Sequence, residues 1–255
     1  MPISSPMGFI FLLGAAFLGA FVDAIAGGGG LITVPAYLIS GFSPHAALAT
    51  NKLSASFGSL ASSIEFFREG KVSWPLVKYI IPCTFLGAVL GVRSVLILPQ
   101  AFLYPIVVVL ILTVGVYSFF KKDLGLTQHF VLPYRRQIAG GMILGLVMGF
   151  YDGFFGPGTG SFLLFAFIRF FKMDFLHAGA NTKILNFTSN ITSLGAFALA
   201  GQIHWPIGLL AGAFALWGSR VGTRVALRRG PAFVRPIFLV MSLAVFLKLL
   251  WDLPR

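Results

Sequence analysis

The chain has 255 residues, of which 57% are hydrophobic and only 10% charged, and its mean hydropathy is +0.91. Soluble domains carry about a quarter charged residues, so this composition excludes a water-facing surface. Its 19 Lys and Arg against 7 Asp and Glu give a net charge of +12, but they stand in short clusters between long apolar runs, which points to orientation in a bilayer and away from nucleic acid.

Taken in order, Met1 to Pro6 has no basic n-region and the apolar segment behind it contains Asp23, so no removable signal peptide is expected. Residues 7–39 are too long for one span and are interrupted by Gly27-Gly28-Gly29-Gly30. Helix cannot run cheaply through such a stretch, at about 1 kcal/mol per Gly, so two short helices joined by an irregular loop are expected. Spans of about 20 apolar residues follow at 45–67, 75–97 and 101–120. Cys83, in an apolar run of the second of these, is the one cysteine; it rules out an internal disulfide and reads as a buried, inert thiol. A basic loop from Lys121 to Arg136 leads to a second interrupted segment, 137–171, broken by Gly156-Pro157-Gly158-Thr159-Gly160. Spans at 176–200, 205–227 and 232–251 complete the chain. The expected fold class is an all-α, polytopic helical membrane protein.

Loop charge orients it. If both interrupted segments are re-entrant, the clusters at Arg68/Lys71, Lys121 to Arg136, Arg169/Lys172 and Arg228/Arg229 share one face, as the positive-inside rule requires. If both cross, the clusters divide between faces. The re-entrant arrangement puts both termini outside.

The halves repeat. Phe21-Val22-Asp23 before the first glycine run matches Phe150-Tyr151-Asp152 before the second, and Ala49-Thr50-Asn51-Lys52 matches Ala180-Asn181-Thr182-Lys183. Trp74-Pro75, Gly87, Gly91 and Arg93 match Trp205-Pro206, Gly218, Gly222 and Arg224, at an offset of about 131 residues. Residues 1–128 and 129–255 then form two repeats, each one hairpin plus three spans. An odd number of crossings inverts the second relative to the first, an arrangement that puts transporter substrate sites near the bilayer midplane.

Lys52 and Lys183 are the sharpest chemical signal. Each lies about 10 Å into its span, and an ammonium in hydrocarbon must face a cavity or a partner. With Asn51 and Asn181 they offer cationic and hydrogen-bonding groups to a small anion. Alternatively each is neutralised by the carboxylate of its own half, Asp23 or Asp152. Gly28, Gly29 and Gly30 and Gly158, Thr159 and Gly160 precede short helices whose free amides and positive dipole ends attract anions; the alternative is that these glycines only break helices or pack closely. Asp23 and Asp152 could tie down loop amides or carry a coupling proton. Arg220, opposite Val89 of the first half, could make the site asymmetric or snorkel outward. Glu65 is expected to pair locally, for example with Arg68. The four His residues are too scattered for a metal site, and no cofactor is expected.

Asp23-Ala-Ile-Ala-Gly-Gly-Gly-Gly-Leu, Ala-Leu-Ala-Thr-Asn-Lys52, Gly149-Phe-Tyr-Asp152-Gly-Phe-Phe-Gly-Pro-Gly-Thr-Gly160 and Ala-Asn-Thr-Lys183 together resemble the sulfite exporter TauE/SafE family over nearly the whole chain. The resemblance implies a plasma-membrane permease for small anions, with sulfite and sulfonates such as sulfoacetate as the substrate class. It assigns binding to the glycine loops, Asn51, Lys52, Asn181 and Lys183. A passive anion channel could use the same cationic groups. A membrane-embedded enzyme would need clustered acids, His or a nucleophile-base pair, whereas the chain offers two separated Asp residues. The expected partners are a small anion and the lipid bilayer, with homo-oligomerisation left open.

Overall fold

A computed structural model describes residues 6–120 and 133–251, without side chains at several positions between 104 and 120 and from 229 onward. Lys121, Lys122 and His129, the expected repeat boundary at 128/129, and the chain ends lie outside the described residues. Among the described residues there is no strand. The helices are α1 (Pro6–Ala26), α2 (Gly30–Ile39), α3 (Pro44–Arg68), α4 (Trp74–Ile97), α5 (Gln100–Phe120), α6 (Tyr134–Phe154), α7 (Thr159–Arg169), α8 (Phe175–Leu199) and α9 (Trp205–Trp251).

Local chemistry sets the ends that matter. Ser43 Oγ accepts the Ala46 amide and Pro44 occupies the first turn of α3, while the Asp174 carboxylate accepts the amides of Leu176 and His177 at the start of α8. The α1 helix runs into Gly27 at φ 79°, and α6 into Gly156 at φ 98°, backbone angles that glycine adopts without a Cβ clash.

Both interrupted segments fold as hairpins. Gly19 of α1 lies against Thr33 and Gly29, and Leu12, Ala15 and Ala16 share a core cluster with Ala36 and Tyr37, so α2 runs back along α1. In the second segment Tyr151 of α6 stacks edge-on against Phe162 of α7, and Gly140 sits beside Phe171. The first arms are longer than expected. Each of α1 and α6 has 21 residues, about 31 Å of helix, because nothing upstream of the glycine runs breaks the helix; only α2 and α7, at 10 and 11 residues, are short.

A second departure concerns 205–251, expected as two spans. It is one helix of 47 residues, about 70 Å long and too long for a single crossing. The helix runs on through Gly230-Pro231, although an interior proline costs about 3 kcal/mol through a lost hydrogen bond and a clash with the carbonyl four residues back. Cys83 is half-buried, not fully enclosed.

The α3 and α8 helices pack on each other at the centre, with α1 and α9 against α3, and α4 and α6 against α8. Two contacts are tight enough to require glycine. A Cβ at Gly87 or Gly91 of α4 would sit 2.2 Å from the carbonyl oxygen of Leu146 or Phe150, and one at Gly218 or Gly222 of α9 would sit 2.1 or 2.4 Å from that of Phe17 or Phe21. These are small-residue contacts of the kind that let membrane helices approach backbone to backbone.

The bundle buries a set of polar groups among its apolar core and turns large apolar side chains outward. Buried groups include Thr50, Asn51, Lys52, Ser54, Ser59, Ser62, Asn181, Lys183, Asn186, Ser189 and Asn190, whereas Phe85, Leu86, Leu90, Ile143, Val147, Leu209, Phe214 and Trp217 point outward. In water such a perimeter would be a large aggregation surface; in a bilayer it faces its own solvent. Among the described residues α1, α4 and α6 are long and apolar enough to cross a membrane. The central α3 and α8, 25 residues each, are long enough but carry the polar side chains, because other helices shield them from lipid.

Candidate functional site

The two hairpin tips meet at the centre of the bundle. The Ser161 amide donates to the Gly27 carbonyl at 3.1 Å and Ser161 Oγ to that of Ala26 at 2.9 Å. A Cβ on Gly160 would stand 2.5 Å from Gly27 Cα, so glycine is required on both sides of this crossing. Beside it lies a cavity whose wall includes Asp23, Gly29, Gly30 and Thr33 from the first hairpin and Asp152, Gly158, Thr159 and Gly160 from the second. Asn51, Lys52, Ser54 and Ser59 of α3 and Asn186 and Asn190 of α8 complete the polar lining.

Two ion pairs hold this centre, and both cross between the halves of the chain. Lys52 Nζ lies 2.9 Å from Asp152 Oδ2 and donates to Asn190 Oδ1 at 3.1 Å. Lys183 Nζ lies 2.7 Å from Asp23 Oδ2 and also donates to the Asp23 backbone carbonyl. Pairing within each half, the expectation for neutralised lysines, is therefore corrected: because the tips interlock, each lysine reaches the acid that precedes the other half's loop. The pairs differ in exposure. The Lys52 and Asp152 side chains are 2% and 5% exposed, and Asp152 also accepts from Ser189 Oγ. Lys183 is likewise 2% exposed, but Asp23 is 26% exposed, with Oδ1 only 3.4 Å from the Gly29 amide.

The helix starts are partly used by the loops themselves. The amides of Leu31 and Thr33 return to the carbonyls of Gly28 and Gly29, and those of Thr159 and Ser161 go to Gly156 and Gly27. Thr159 Oγ1 closes its own loop on the Gly156 carbonyl at 2.7 Å. The α2 and α7 helices still direct their N-terminal ends at the cavity through Gly30 and Gly160, where the positive end of the helix dipole favours an anion.

A model of the family described as sulfite exporter TauE/SafE matches residues 12–249. The chain belongs to the sulfite exporter TauE/SafE family. Among curated relatives, a probable membrane transporter protein of Haemophilus influenzae is 37% identical over 250 residues, covering 96% of this chain and 95% of that protein. The probable membrane transporter protein YfcA of Escherichia coli K12 is 39% identical, covering 97% and 91%, and ORF9 of a Sinorhizobium species, with the same description, is 39% identical, covering 95% and 92%. No solved structure matches.

For this TauE/SafE member, the sequence-derived site divides three ways. Asn51, Lys52, Gly29, Gly30, Gly158, Thr159, Gly160, Asp23 and Asp152 reach the cavity. Lys183 is held behind Asp23 and does not line the wall, and Gly28 serves the loop. Asn181 and Arg220 are elsewhere. Asn181 accepts the Ser73 amide at 2.8 Å, anchoring the start of α4, while Arg220 is exposed on the perimeter, the snorkelling alternative. Glu65 pairs across helices with Arg224 at 3.1 Å, not with Arg68.

Sequence reasoning missed Asn186, Asn190, Ser54 and Ser59. The signal was present: Asn186 and Asn190 lie three and seven residues beyond Lys183, on one helical face. Ser59 follows Lys52 at the same seven-residue spacing, and Asn190 Nδ2 contacts its Oγ at 3.4 Å.

Proposed function

We propose that this family member is a permease that carries a small sulfur oxyanion or sulfonate, such as sulfite or sulfoacetate, across the bacterial inner membrane by alternating access. One observation carries the reading: two helix N-termini, from separate hairpins, and the Lys52 ammonium converge on one buried polar cavity where the hairpin tips cross. Such a constellation suits a compact anion approached from several sides. The descriptions of the relatives as probable membrane transporters agree with it.

Alternating access follows from the proposed inverted repeats, 1–128 and 129–255. Their support is the matched packing, in which Gly87 and Gly91 meet Leu146 and Phe150 as Gly218 and Gly222 meet Phe17 and Phe21. Each half thus lends its fourth-helix glycine face to the other half's hairpin, a geometry in which rocking one half moves the opposite tip. The charge distribution supports the N-terminus outside; an outside C-terminus would need 205–251 to cross twice, whereas it is one continuous helix.

The purified protein in proteoliposomes checks the assignment directly. Labelled sulfite or sulfoacetate should cross faster than in protein-free liposomes, with saturation, and the same anions should raise the apparent unfolding temperature, since a ligand of the folded state stabilises it. Anion flux at the protein-free rate, with no stabilisation across sulfite, sulfoacetate, isethionate and thiosulfate, would overturn the reading.

A further inference from the structure

We propose that the anion travels with a proton and that Asp23 is the group that carries it; this rests on the anion-permease reading above. The starting point is a charge count. Lys52, Lys183, Asp23 and Asp152 form two complete ion pairs around the cavity, so the empty site is neutral. Only Lys52 and the two carboxylates line its wall, since Lys183 is covered by Asp23. A monoanion entering this space meets one ammonium that is already engaged and two negative groups. The Lys52 and Asp152 side chains are 2% and 5% exposed, and an unbalanced charge in such an interior is strongly disfavoured.

A proton is the smallest compensation, and the two carboxylates are not equally able to take it. Asp152 is 5% exposed and fixed by Lys52 and Ser189. Asp23 is 26% exposed, lines the cavity and has one short side-chain partner, Lys183. The proton adds to an Asp23 carboxylate oxygen, no other covalent bond changes, and the Lys183 ammonium is left with its charge free to balance the anion. Bound anion and bound proton then sum to zero, and the site is neutral again.

Among the described residues no other group facing Asp23 competes. On α8 it is Lys183, and across the cavity Lys52 on α3 and Asp152 on α6. From α2 there is Tyr37, whose hydroxyl donates to Ser54. On α3, His45 bonds the Val95 carbonyl and Glu65 pairs with Arg224. Arg169 of α7 and Arg220, Arg224 and Arg228 of α9 are exposed.

Isethionate is a suitable probe because it is a monoanion throughout pH 6 to 8. When it is added to the purified wild-type protein in weakly buffered detergent, the protein should take up about one proton per bound anion, read with a pH indicator. In proteoliposomes, an imposed pH gradient should drive accumulation by about tenfold per pH unit, the ratio for one proton per anion. Asp23→Asn should still show anion-dependent thermal stabilisation but take up no proton and lose gradient-driven accumulation, and Asp23→Glu should recover both. Wild-type transport indifferent to the gradient would overturn this inference while leaving the permease reading intact. Proton uptake that survives Asp23→Asn but vanishes in Asp152→Asn would overturn the assignment to Asp23. If neither isethionate nor sulfite binds or moves, the permease reading fails and this inference fails with it.

Discussion

Replacing Lys52 by Met keeps the length of the side chain and removes its charge. The loss falls on Asp152, which is 5% exposed and would keep the hydrogen bond from the Ser189 hydroxyl. Breaking a buried ion pair by removing one member costs about 3–5 kcal/mol, because the other charge is stranded. At roughly 2–4 °C per kcal/mol for a chain of this size, Lys52→Met should lower the unfolding temperature by about 10 °C. Asp152→Asn should do comparable damage. The double variant, Lys52→Met with Asp152→Asn, strands nothing and should recover most of the loss, so the coupling in a double-mutant cycle should exceed the loss of either single variant, about 3 kcal/mol or more. Thermal unfolding of detergent-purified protein, followed by intrinsic fluorescence, reads all four corners. The decisive comparison is with Asp23: Lys52→Met combined with Asp23→Asn should not recover, because Asp23 belongs to Lys183. Recovery with Asp23 in place of Asp152, or additive losses in both doubles, would refute the crossed pairing. The pairing also changes the meaning of lysine knockouts. Loss of transport in Lys52→Ala alone would confuse a missing ligand with a damaged core, whereas the Lys52→Met/Asp152→Asn protein, if folded and without flux, isolates the ligand role.

Two further predictions concern the frame around the site. Gly160→Ala places a methyl 2.5 Å from Gly27 Cα and 2.8 Å from its carbonyl oxygen, both backbone atoms, so it should cost about 1–3 kcal/mol or more and lower the yield of folded protein; Gly195→Ala, with nothing within 4 Å, should be neutral or stabilising, and equal melting of the two variants would remove the close tip contact as a requirement. Asp174 caps α8. Burial pushes its carboxyl up, but hydrogen bonds and charge from His177, with the Leu176 amide, outweigh this and hold it below the ordinary 3.8. A lowered carboxylate stabilises the fold above its unfolded value and loses that contribution as pH falls through the folded one, so wild type should out-melt Asp174→Ala at pH 5 by a margin that shrinks below 3.8; a margin unchanged into stronger acid would contradict the charged cap.

Much of this architecture is local and was therefore readable along the chain. Runs of apolar residues and the two glycine interruptions depend on short-range propensity and solvation, and the helices at 44–68, 74–97, 100–120 and 175–199 follow the expected spans within about a residue or two. The 205–251 stretch was misread because Gly230-Pro231 resembles punctuation, yet a helix tolerates it. Lys52, Asn51 and the glycine loops announced themselves by being out of place in hydrocarbon, whereas Asn186 and Asn190 were hidden among ordinary polar residues until their helical face was known.

What sequence alone determined was the medium, the helices and the identity of the charged groups, because burial of charge and backbone geometry are properties of each residue and its near neighbours. What tertiary structure decided was who meets whom. Asp23 and Lys183 are 160 positions apart, and no local rule pairs them in preference to Asp23 and Lys52. The choice comes from two hairpin tips crossing at glycines, which carries each lysine past its own half to the acid of the other. It also leaves one cavity-lining carboxylate 5% exposed and the other 26% exposed, an asymmetry that two matching sequence motifs do not contain.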